Sequence, residues 1–304
     1  MMPNEILSPL NKRGYEWRIV SMDHLEELHE EIEGPHRLGL YDEEFYKERI
    51  VPFVFKPPIE LKDARSLIIV TSPQPQFRVV FTWKGEQRLA LIPPTYVRYR
   101  AVKAQAKELL EGILGPEGYH VTAAFLPEKL LIARSGLGAY GKNNISYVQG
   151  MGSFHEPAAF YSDLTCAEDN WQEKPMLKRC ERCSACVRQC PSGAITVERF
   201  LLRAERCITY RNEKPGTVPF PDWLDPSWHN CLVGCMICQQ VCPENKKFLK
   251  WIKEGPEFSE EETVLIRQGI PFDNLLAETK DKWSWLGLSE DLDVFPRNLR
   301  ALLK

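Results

Sequence analysis

Helical and strand-like patterns of hydrophobic residues alternate along the first half of the chain. Leu25, Leu28 and Ile32 recur at helical spacing among acidic positions, which predicts an amphipathic helix over residues 23–32. The β-branched run at residues 66–71 predicts a buried strand. The same reasoning predicts strand pieces in residues 82–92 and helices over residues 96–113 and 126–134. This alternation favours layers of helices and strands.

The pattern changes after residue 135. Glycine and small polar residues crowd residues 136–153, which predicts a loop, and a helical pattern returns after Pro243. We therefore expect an α+β fold in three parts: an α/β domain over residues 1–165, a cysteine-bearing domain over residues 166–250, and a helical C-terminal segment over residues 251–304 that packs on the core.

Composition and charge narrow the function classes. The 304 residues include 39 Lys and Arg and 42 Asp and Glu, a net charge of −3 that provides no overall attraction to phosphate backbones. No apolar run is long enough for a membrane-spanning helix, and the N-terminal residues lack the pattern of a secretory signal. We expect a cytoplasmic protein without membrane contact, in a compartment that keeps thiols reduced.

The ten cysteines all lie between Cys166 and Cys242. The first run has the spacing C-x2-C-x2-C-x3-C-P, which bacterial ferredoxins use to bind 4Fe-4S clusters. Its members are Cys180, Cys183, Cys186 and Cys190. A second, modified run contains Cys235, Cys238 and Cys242, but a leucine stands where its first cysteine is expected.

Crossed ligation, in which the last cysteine of each run serves the other cluster, accounts for eight of the ten cysteines. Cluster A then takes Cys180, Cys183, Cys186 and Cys242. Cluster B takes Cys190, Cys235, Cys238 and a fourth ligand that is either Cys207 or Cys231. Zinc is the alternative metal for C-x2-C pairs, but three cysteines at this spacing followed by Cys-Pro favour iron and sulfide.

Several further motifs surround the cysteines. They are ARSGLGAYGKNN at residues 133–144, GSF at residues 152–154, PSGAI after the first run, RCITY at residues 206–210 and GCMICQQVCPEN at residues 234–245. Over residues 61–245 the chain resembles the epoxyqueuosine reductases, cobalamin-dependent iron-sulfur enzymes of tRNA modification that are related to the reductive dehalogenases.

The resemblance implies a nitroreductase-like α/β domain that holds a base-off cobalamin, followed by a ferredoxin-like domain with two clusters. It also implies that Cys207 completes cluster B and that Cys231 is spare. The residues that match the corrinoid-binding loop are Gly136, Gly138, Gly141, Lys142, Asn143, Gly152 and Ser153. A loop rich in glycine can approach a large planar cofactor closely, although tight turns alone would also need glycine.

The chain departs from the family in two places. Thr122 stands where family members have a catalytic aspartate, and a threonine hydroxyl is not a general acid near neutral pH. In longer members, a helical-repeat extension that helps to grip tRNA follows a segment resembling residues 296–303, and this sequence stops just after that segment, at residue 304. These differences disfavour tRNA as the substrate. Candidates for the proton donor are His120, Thr122, Tyr140 and His155, with Glu156 as a further possibility.

The sequence thus predicts an iron-sulfur oxidoreductase that passes single electrons through two 4Fe-4S clusters to a bound cobalamin. The expected partners are a low-potential donor, such as a ferredoxin or flavodoxin, and a small molecule or corrinoid protein as substrate. Two alternatives stay open: a true epoxyqueuosine reductase, and a non-catalytic electron-transfer protein without a corrinoid.

Overall fold

The computed structural model describes residues 2–303. Its α-helices are α1 (Pro3–Leu7), α2 (Pro9–Lys12), α3 (Leu25–Arg37), α4 (Glu43–Phe45), α5 (Tyr99–Leu114), α6 (Glu128–Arg134), α7 (Ala185–Gln189), α8 (Ile208–Asn212), α9 (Ile237–Gln240), α10 (Glu260–Gln268), α11 (Ala277–Leu286) and α12 (Phe295–Leu302). Its strands are β1 (Glu16–Ser21), β2 (Ser66–Pro73), β3 (Gln76–Trp83), β4 (Glu86–Ile92), β5 (Val121–Ala123), β6 (Gly138–Tyr140), β7 (Ser146–Val148), β8 (His155–Ser162) and β9 (Ile252–Phe258).

Single turns of other helix types connect these elements. The 3₁₀ turns are Met22–His24, Ile59–Leu61, Gly115–Glu117, Lys178–Glu181, Ala204–Arg206, Pro226–Trp228, Pro243–Asn245, Phe272–Asn274 and Ser289–Val294, and a π turn spans Tyr46–Ile50. Within residues 2–303, no helix combines the length and apolar character that crossing a bilayer requires.

The chain forms two compact units. The first consists of the chain up to Pro73 together with Val102–Cys183, and the second of Gln74–Ala101 together with the chain from Ser184 onward. These units do not follow the boundaries at residues 165 and 250, because β3 and β4 build a sheet with β9 and so join the C-terminal part. The division into three functional segments remains a prediction.

The first unit is built on an antiparallel sheet in the order β1-β2-β8-β5. Side chains alternate across a strand, so Ile68, Val70, Ala158 and Phe160 share one face. That face packs into a core with α1, α2 and α5. The strand predicted over residues 66–71 and the helices predicted over residues 23–32, 96–113 and 126–134 are confirmed, with ends displaced by a few residues.

The second unit contains a three-stranded sheet in the order β4-β3-β9. Lys84 and Gly85 both have positive φ angles, +54° and +74°, at the two-residue turn of the β3-β4 hairpin, where that geometry matches the strand twist. Trp283 is fully buried in this unit and stacks on Phe295 with ring centroids 4.6 Å apart.

Two local predictions were wrong. Residues 136–153 are not one continuous loop, because β6 and β7 pair within them. The C-terminal segment is not purely helical, because Ile252–Phe258 forms β9 and pairs in parallel with β3. In both cases short segments gain a strand partner, which intrinsic helix or loop preference does not reveal. The mixed helix and strand class is confirmed.

Candidate functional site

The segment that leads into the first cysteine run is anchored within the first unit by Arg134, at the end of α6. Its guanidinium is buried, and Nη1 donates to the carbonyl of Gln172 at 2.9 Å. The same group lies over the ring of Trp171, 4.9 Å from the centroid. Its Nε is 3.2 Å from a carboxylate oxygen of Glu31 on α3. A buried charge needs such partners, so these contacts hold residues 171–174 in place.

The β6-β7 hairpin continues this anchoring up to the first cysteines. The N–H of Tyr140 donates to the carbonyl of Pro175 at 2.9 Å, and the N–H of Leu177 donates to the carbonyl of Tyr140 at 2.8 Å. Lys142 Nζ donates to the carbonyl of Cys183 at 3.1 Å. The loop predicted to hold a corrinoid is therefore bonded directly to the backbone of the first cysteine run.

The loop glycines have structural reasons within the hairpin itself. Gly136 and Gly152 have φ angles of +71° and +59°, a region that favours glycine. A Cβ on Gly138 would lie 2.4 Å from the carbonyl oxygen of Tyr147. On Gly141 it would lie 2.5 Å from Asn143 Oδ1. These four glycines are thus explained by turns and close packing, as the alternative interpretation expected.

Asn143 differs from its neighbours because part of its amide lacks a partner. The side chain is 3% exposed, and Nδ2 donates to the hydroxyl of Tyr147 at 2.9 Å. Its Oδ1 is buried and accepts no hydrogen bond within the described part of the chain. Leaving a buried carbonyl oxygen unsatisfied costs about 1–3 kcal/mol, so this atom is suited to receive a donor from a ligand.

Within the second unit, three of the predicted cluster B cysteines lie close together. The pKa of the Cys207 thiol is raised to about 11, mainly by burial, and the neighbouring Cys235 and Cys190 also raise it. The pKa of Cys235 is raised by burial and by Cys190 as well. Cys186 lies on α7 and Cys238 on α9, and these two helices pack against each other. Across residues 2–303, no three or more His, Cys, Asp or Glu side chains are grouped to hold a single metal ion.

Backbone and side-chain N–H groups are directed at these sulfur atoms. Cys207 precedes the first turn of α8, and the N–H groups of Thr209 and Tyr210 bond its sulfur and lower its pKa. Cys235 receives Asn230 Nδ2 at 3.3 Å and the N–H of Ile237. Such donors favour the thiolate, which is the form that binds iron.

The two cysteines expected to be spare have other partners. Cys231 is fully buried, its sulfur donates to Asn230 Oδ1 at 3.1 Å, and burial raises its thiol pKa well above the usual value. Cys166 packs against the core of the first unit and donates to the carbonyl of Glu168 at 3.4 Å. Burial raises its pKa to about 11. Both environments favour a protonated thiol.

The four predicted proton donors lie in different surroundings. His120 is exposed and pairs with Asp163 at 2.9 Å. Thr122 lies on β5 opposite Tyr161. Burial raises the pKa of the Tyr140 hydroxyl far above its usual range.

His155, the remaining candidate, is a buried structural residue. Its Nδ1 is 2.8 Å from the hydroxyl of Thr71 and its Nε2 is 3.2 Å from the carbonyl of Ser146. Burial lowers its pKa to about 4, so the ring is neutral at physiological pH. Both ring nitrogens thus have partners within the first unit.

A group of charged side chains around the buried Glu156 lies on the other face of β8. Glu156 is 6% exposed, and burial raises its pKa to about 8 despite Lys103, whose Nζ is 3.7 Å from Oε1. Lys103 also bonds Glu128 at the start of α6, at 2.7 Å. Because neighbouring residues of a strand point to opposite faces, Glu156 is directed away from the His155 side, to which β7 is bonded.

Comparisons with known proteins match the cysteine-bearing part of the chain to an iron-sulfur domain. Residues 179–245 match the 4Fe-4S double cluster binding domain. The chain is 29% identical over 243 residues to the epoxyqueuosine reductase of Cellulophaga algicola and 31% identical over 131 residues to that of Atelocyanobacterium thalassa. These alignments cover 75% and 43% of this chain. The resemblance to the epoxyqueuosine reductases is confirmed. The matches also confirm the predicted iron-sulfur domain, and the relatives named here are oxidoreductases.

The similarity to these epoxyqueuosine reductases is partial in length. The chain spans 69% of the Cellulophaga algicola protein and 41% of the Atelocyanobacterium thalassa protein. The solved enzyme of Bacillus subtilis superposes with a TM-score of 0.72 at 23% identity, covering 99% of this chain and 80% of that one. At that identity the likeness establishes the fold alone.

Another epoxyqueuosine reductase of the same fold was solved with an epoxyqueuosine-modified tRNA-Tyr stem loop, with a TM-score of 0.71 at 22% identity over 99% of this chain and 80% of that one. The comparisons therefore do not disfavour tRNA, contrary to the expectation from Thr122 and from the helical-repeat extension of longer members.

Sequence reasoning missed Asn230 and the pairing of Lys103 with Glu128. Asn230 belongs to no sequence motif, and the contacts of its amide depend on how residues 228–236 fold around it. Lys103 in the first half of α5 and Glu128 at the start of α6 belong to no sequence motif that would indicate their pairing. Both features require the folded backbone.

Proposed function

We propose that this chain is an iron-sulfur oxidoreductase with two 4Fe-4S clusters and a cobalamin. Cluster B would be held by Cys190, Cys207, Cys235 and Cys238, and cluster A by Cys180, Cys183, Cys186 and Cys242. The clusters, when bound, supply single electrons and the cobalamin supplies the reduction of a substrate. The donor would be a low-potential ferredoxin or flavodoxin, and the substrate a small molecule or a corrinoid protein.

The observation that carries this proposal is the environment of the cluster B sulfurs. Cys190, Cys207 and Cys235 lie within electrostatic reach of one another, and two of them receive N–H donors. Burying several thiols side by side raises their pKa, so the group favours a cationic cluster that binds thiolates. Cys231 contacts Asn230 and lies within electrostatic reach of Cys235, whereas Cys207 is within reach of both Cys235 and Cys190, which supports Cys207 as the fourth ligand.

The first unit supplies residues that suit a corrinoid. Asn143 Oδ1 is an unsatisfied buried acceptor, and corrin side chains end in carboxamides that donate N–H groups. Lys142 uses one of its three N–H groups on Cys183 and can direct another to an acceptor. The Lys142 contact joins the loop to the cysteine run and so holds both in one arrangement.

Exposed basic residues around the first cysteine suit an acidic electron donor. Lys178, Arg179 and Arg182 are all exposed within the first unit and lie within two residues of Cys180. Ferredoxins and flavodoxins that carry acidic surfaces would be attracted to such a patch, which raises the association rate at low salt.

Binding of cobalamin is the test of the catalytic proposal. Protein reconstituted anaerobically with iron and sulfide, then incubated with excess cobalamin and desalted, should retain cobalt and show a base-off absorption spectrum. Asn143→Ala should weaken this binding about fivefold to tenfold, the effect of one hydrogen bond, and the neighbouring Asn144→Gly should not. If wild-type protein with full iron retains no cobalt, the chain is an electron-transfer protein without a corrinoid.

Reduction of epoxyqueuosine in tRNA is a second candidate, favoured by the names of the relatives and of the structural neighbours. To distinguish tRNA from a small molecule or corrinoid protein as the substrate, the same reconstituted protein is incubated with an epoxyqueuosine-modified stem loop and a low-potential reductant. Queuosine formed by multiple turnovers would favour the tRNA reaction, despite Thr122 at the position of the aspartate.

A further inference from the structure

Asn230 stands directly before Cys231 and contacts two different cysteines in the second unit. Its Nδ2 is 3.3 Å from the sulfur of Cys235, and its Oδ1 accepts from the sulfur of Cys231 at 3.1 Å. An amide between two sulfurs can act on either one, so the orientation of its oxygen and nitrogen decides what it does.

Two backbone groups set that orientation independently of the cysteines. The N–H of Met236, which can only donate, lies 2.9 Å from Oδ1. The carbonyl of Trp228, which can only accept, lies 3.0 Å from Nδ2. A flipped amide would place donor against donor and acceptor against acceptor. The nitrogen must therefore face Trp228, and its second hydrogen is directed at Cys235.

The segment that carries these groups is held firmly. Asn212 Nδ2 donates to the carbonyl of Gly234 at 2.8 Å, and Asn298 Nδ2 donates to the carbonyl of Leu232 at 3.0 Å. Gly234 has a φ of +71°, and a Cβ there would lie 2.7 Å from the hydroxyl oxygen of Tyr96. With the backbone restrained at residues 232 and 234, the amide has little freedom to turn away from Cys235.

We propose that Asn230 is a positioning residue that tunes the reduction potential of cluster B through an N–H···S bond to Cys235. The inference rests on the proposed role of Cys235 as a cluster ligand. Reduction adds negative charge to a cluster and its thiolates, so a donor to a ligand sulfur stabilises the reduced form and raises the potential.

Redox titration of the cluster-loaded protein tests the proposal. In Asn230→Ala, the midpoint potential of one cluster should shift to more negative values while the other stays unchanged. In Asn230→Asp, which keeps an acceptor for the N–H of Met236 but replaces the donor by an anionic oxygen, the shift should be larger. Cys231→Ala is the matched control, since it removes a neighbour of Oδ1 and leaves Nδ2 in place, and both potentials should equal those of wild type.

Equal potentials in wild type and both Asn230 variants, each with full iron, would overturn the proposal. If the variants lose iron, the proposal is tested instead on wild-type protein labelled with ¹⁵N-asparagine, by pulsed electron–nuclear double resonance. A ¹⁵N coupling to one reduced cluster is expected, and its absence would also overturn the proposal. Wild-type protein that binds no iron would instead contradict the proposed function.

Discussion

Cysteine sulfurs in this protein share some hydrogen-bond features and differ in others. The sulfurs of Cys207, Cys235, Cys231 and Cys166 all accept from backbone N–H groups, and burial raises the pKa of each thiol. Cys231 and Cys166 in addition donate to oxygen atoms, of Asn230 and Glu168 respectively. What favours Cys207 over Cys231 as a ligand is therefore its position, because Cys207 lies within electrostatic reach of both Cys190 and Cys235.

Residue-scale prediction from the sequence succeeded where spacing alone carries the information. The iron-sulfur domain followed from the intervals between cysteines, and it is confirmed over residues 179–245. The environment of His155 could not be predicted, because Thr71 and Ser146 reach it only through the folded sheet. Glu156 was named as a possible donor from its position, but its partner Lys103 lies far away in sequence.

Replacing Glu156 by glutamine should change how stability depends on pH. The folded pKa of about 8 lies above the value of about 4.3 in an unfolded chain. Wild-type protein therefore has the full contribution of this group below about pH 4 and loses it as pH rises to 8, by up to about 1.4 kcal/mol per pH unit. Lys103 and Glu128 face this carboxyl in both proteins.

Urea unfolding at several pH values measures this effect. Glu156→Gln should gain stability relative to wild type between pH 5 and pH 8, with the difference growing as pH rises. Glu117→Gln, at an exposed turn, is the control and should follow wild type. A constant difference between Glu156→Gln and wild type across this range would show that the carboxyl is ionised in the folded protein.

Among the elements, long periodic segments were predicted well and short paired ones were not. Helix α5 and strand β2 are long enough for the spacing of their hydrophobic residues to indicate the element. The three-residue strands β6 and β7 are too short to show a period, and their glycines suggest a loop. What makes them strands is the pairing of Gly138 with Val148 and of Tyr140 with Ser146.

Gly138→Ala should destabilise this hairpin. The added Cβ would lie 2.4 Å from the carbonyl oxygen of Tyr147 and 2.8 Å from Ile132 Cγ2, so backbone must shift to admit it. We expect a loss of about 1–3 kcal/mol, seen as a lower midpoint in thermal unfolding.

Gly112→Ala is the matched control for that substitution. Gly112 lies in α5, and a Cβ added there would meet no atom within 4 Å beyond its own stretch of helix, so alanine should stabilise by about 0.5–1 kcal/mol. Two glycine-to-alanine changes in the same unit should thus shift the midpoint in opposite directions. Equal shifts would mean that Gly138 is not closely packed.

On the scale of the whole molecule, the units are interleaved along the chain. Gln74–Ala101 belongs with the C-terminal part because β3 pairs with β9, and sequence proximity places it with the N-terminal part. A parallel pairing between segments this far apart leaves no local pattern, so contiguous domain boundaries were the natural expectation from the sequence. The cysteine segment, in contrast, could be delimited from sequence because its chemistry is local.

The central claim is that eight named cysteines hold two 4Fe-4S clusters. The most direct measurement is iron and acid-labile sulfide per chain after anaerobic reconstitution of wild type, Cys207→Ala and Cys231→Ala. We predict about eight irons in wild type and in Cys231→Ala, and about four in Cys207→Ala, because Cys207 and not Cys231 is the proposed fourth ligand of cluster B. About four irons or bound zinc in wild type, or loss of half the iron in Cys231→Ala with none lost in Cys207→Ala, would contradict the account.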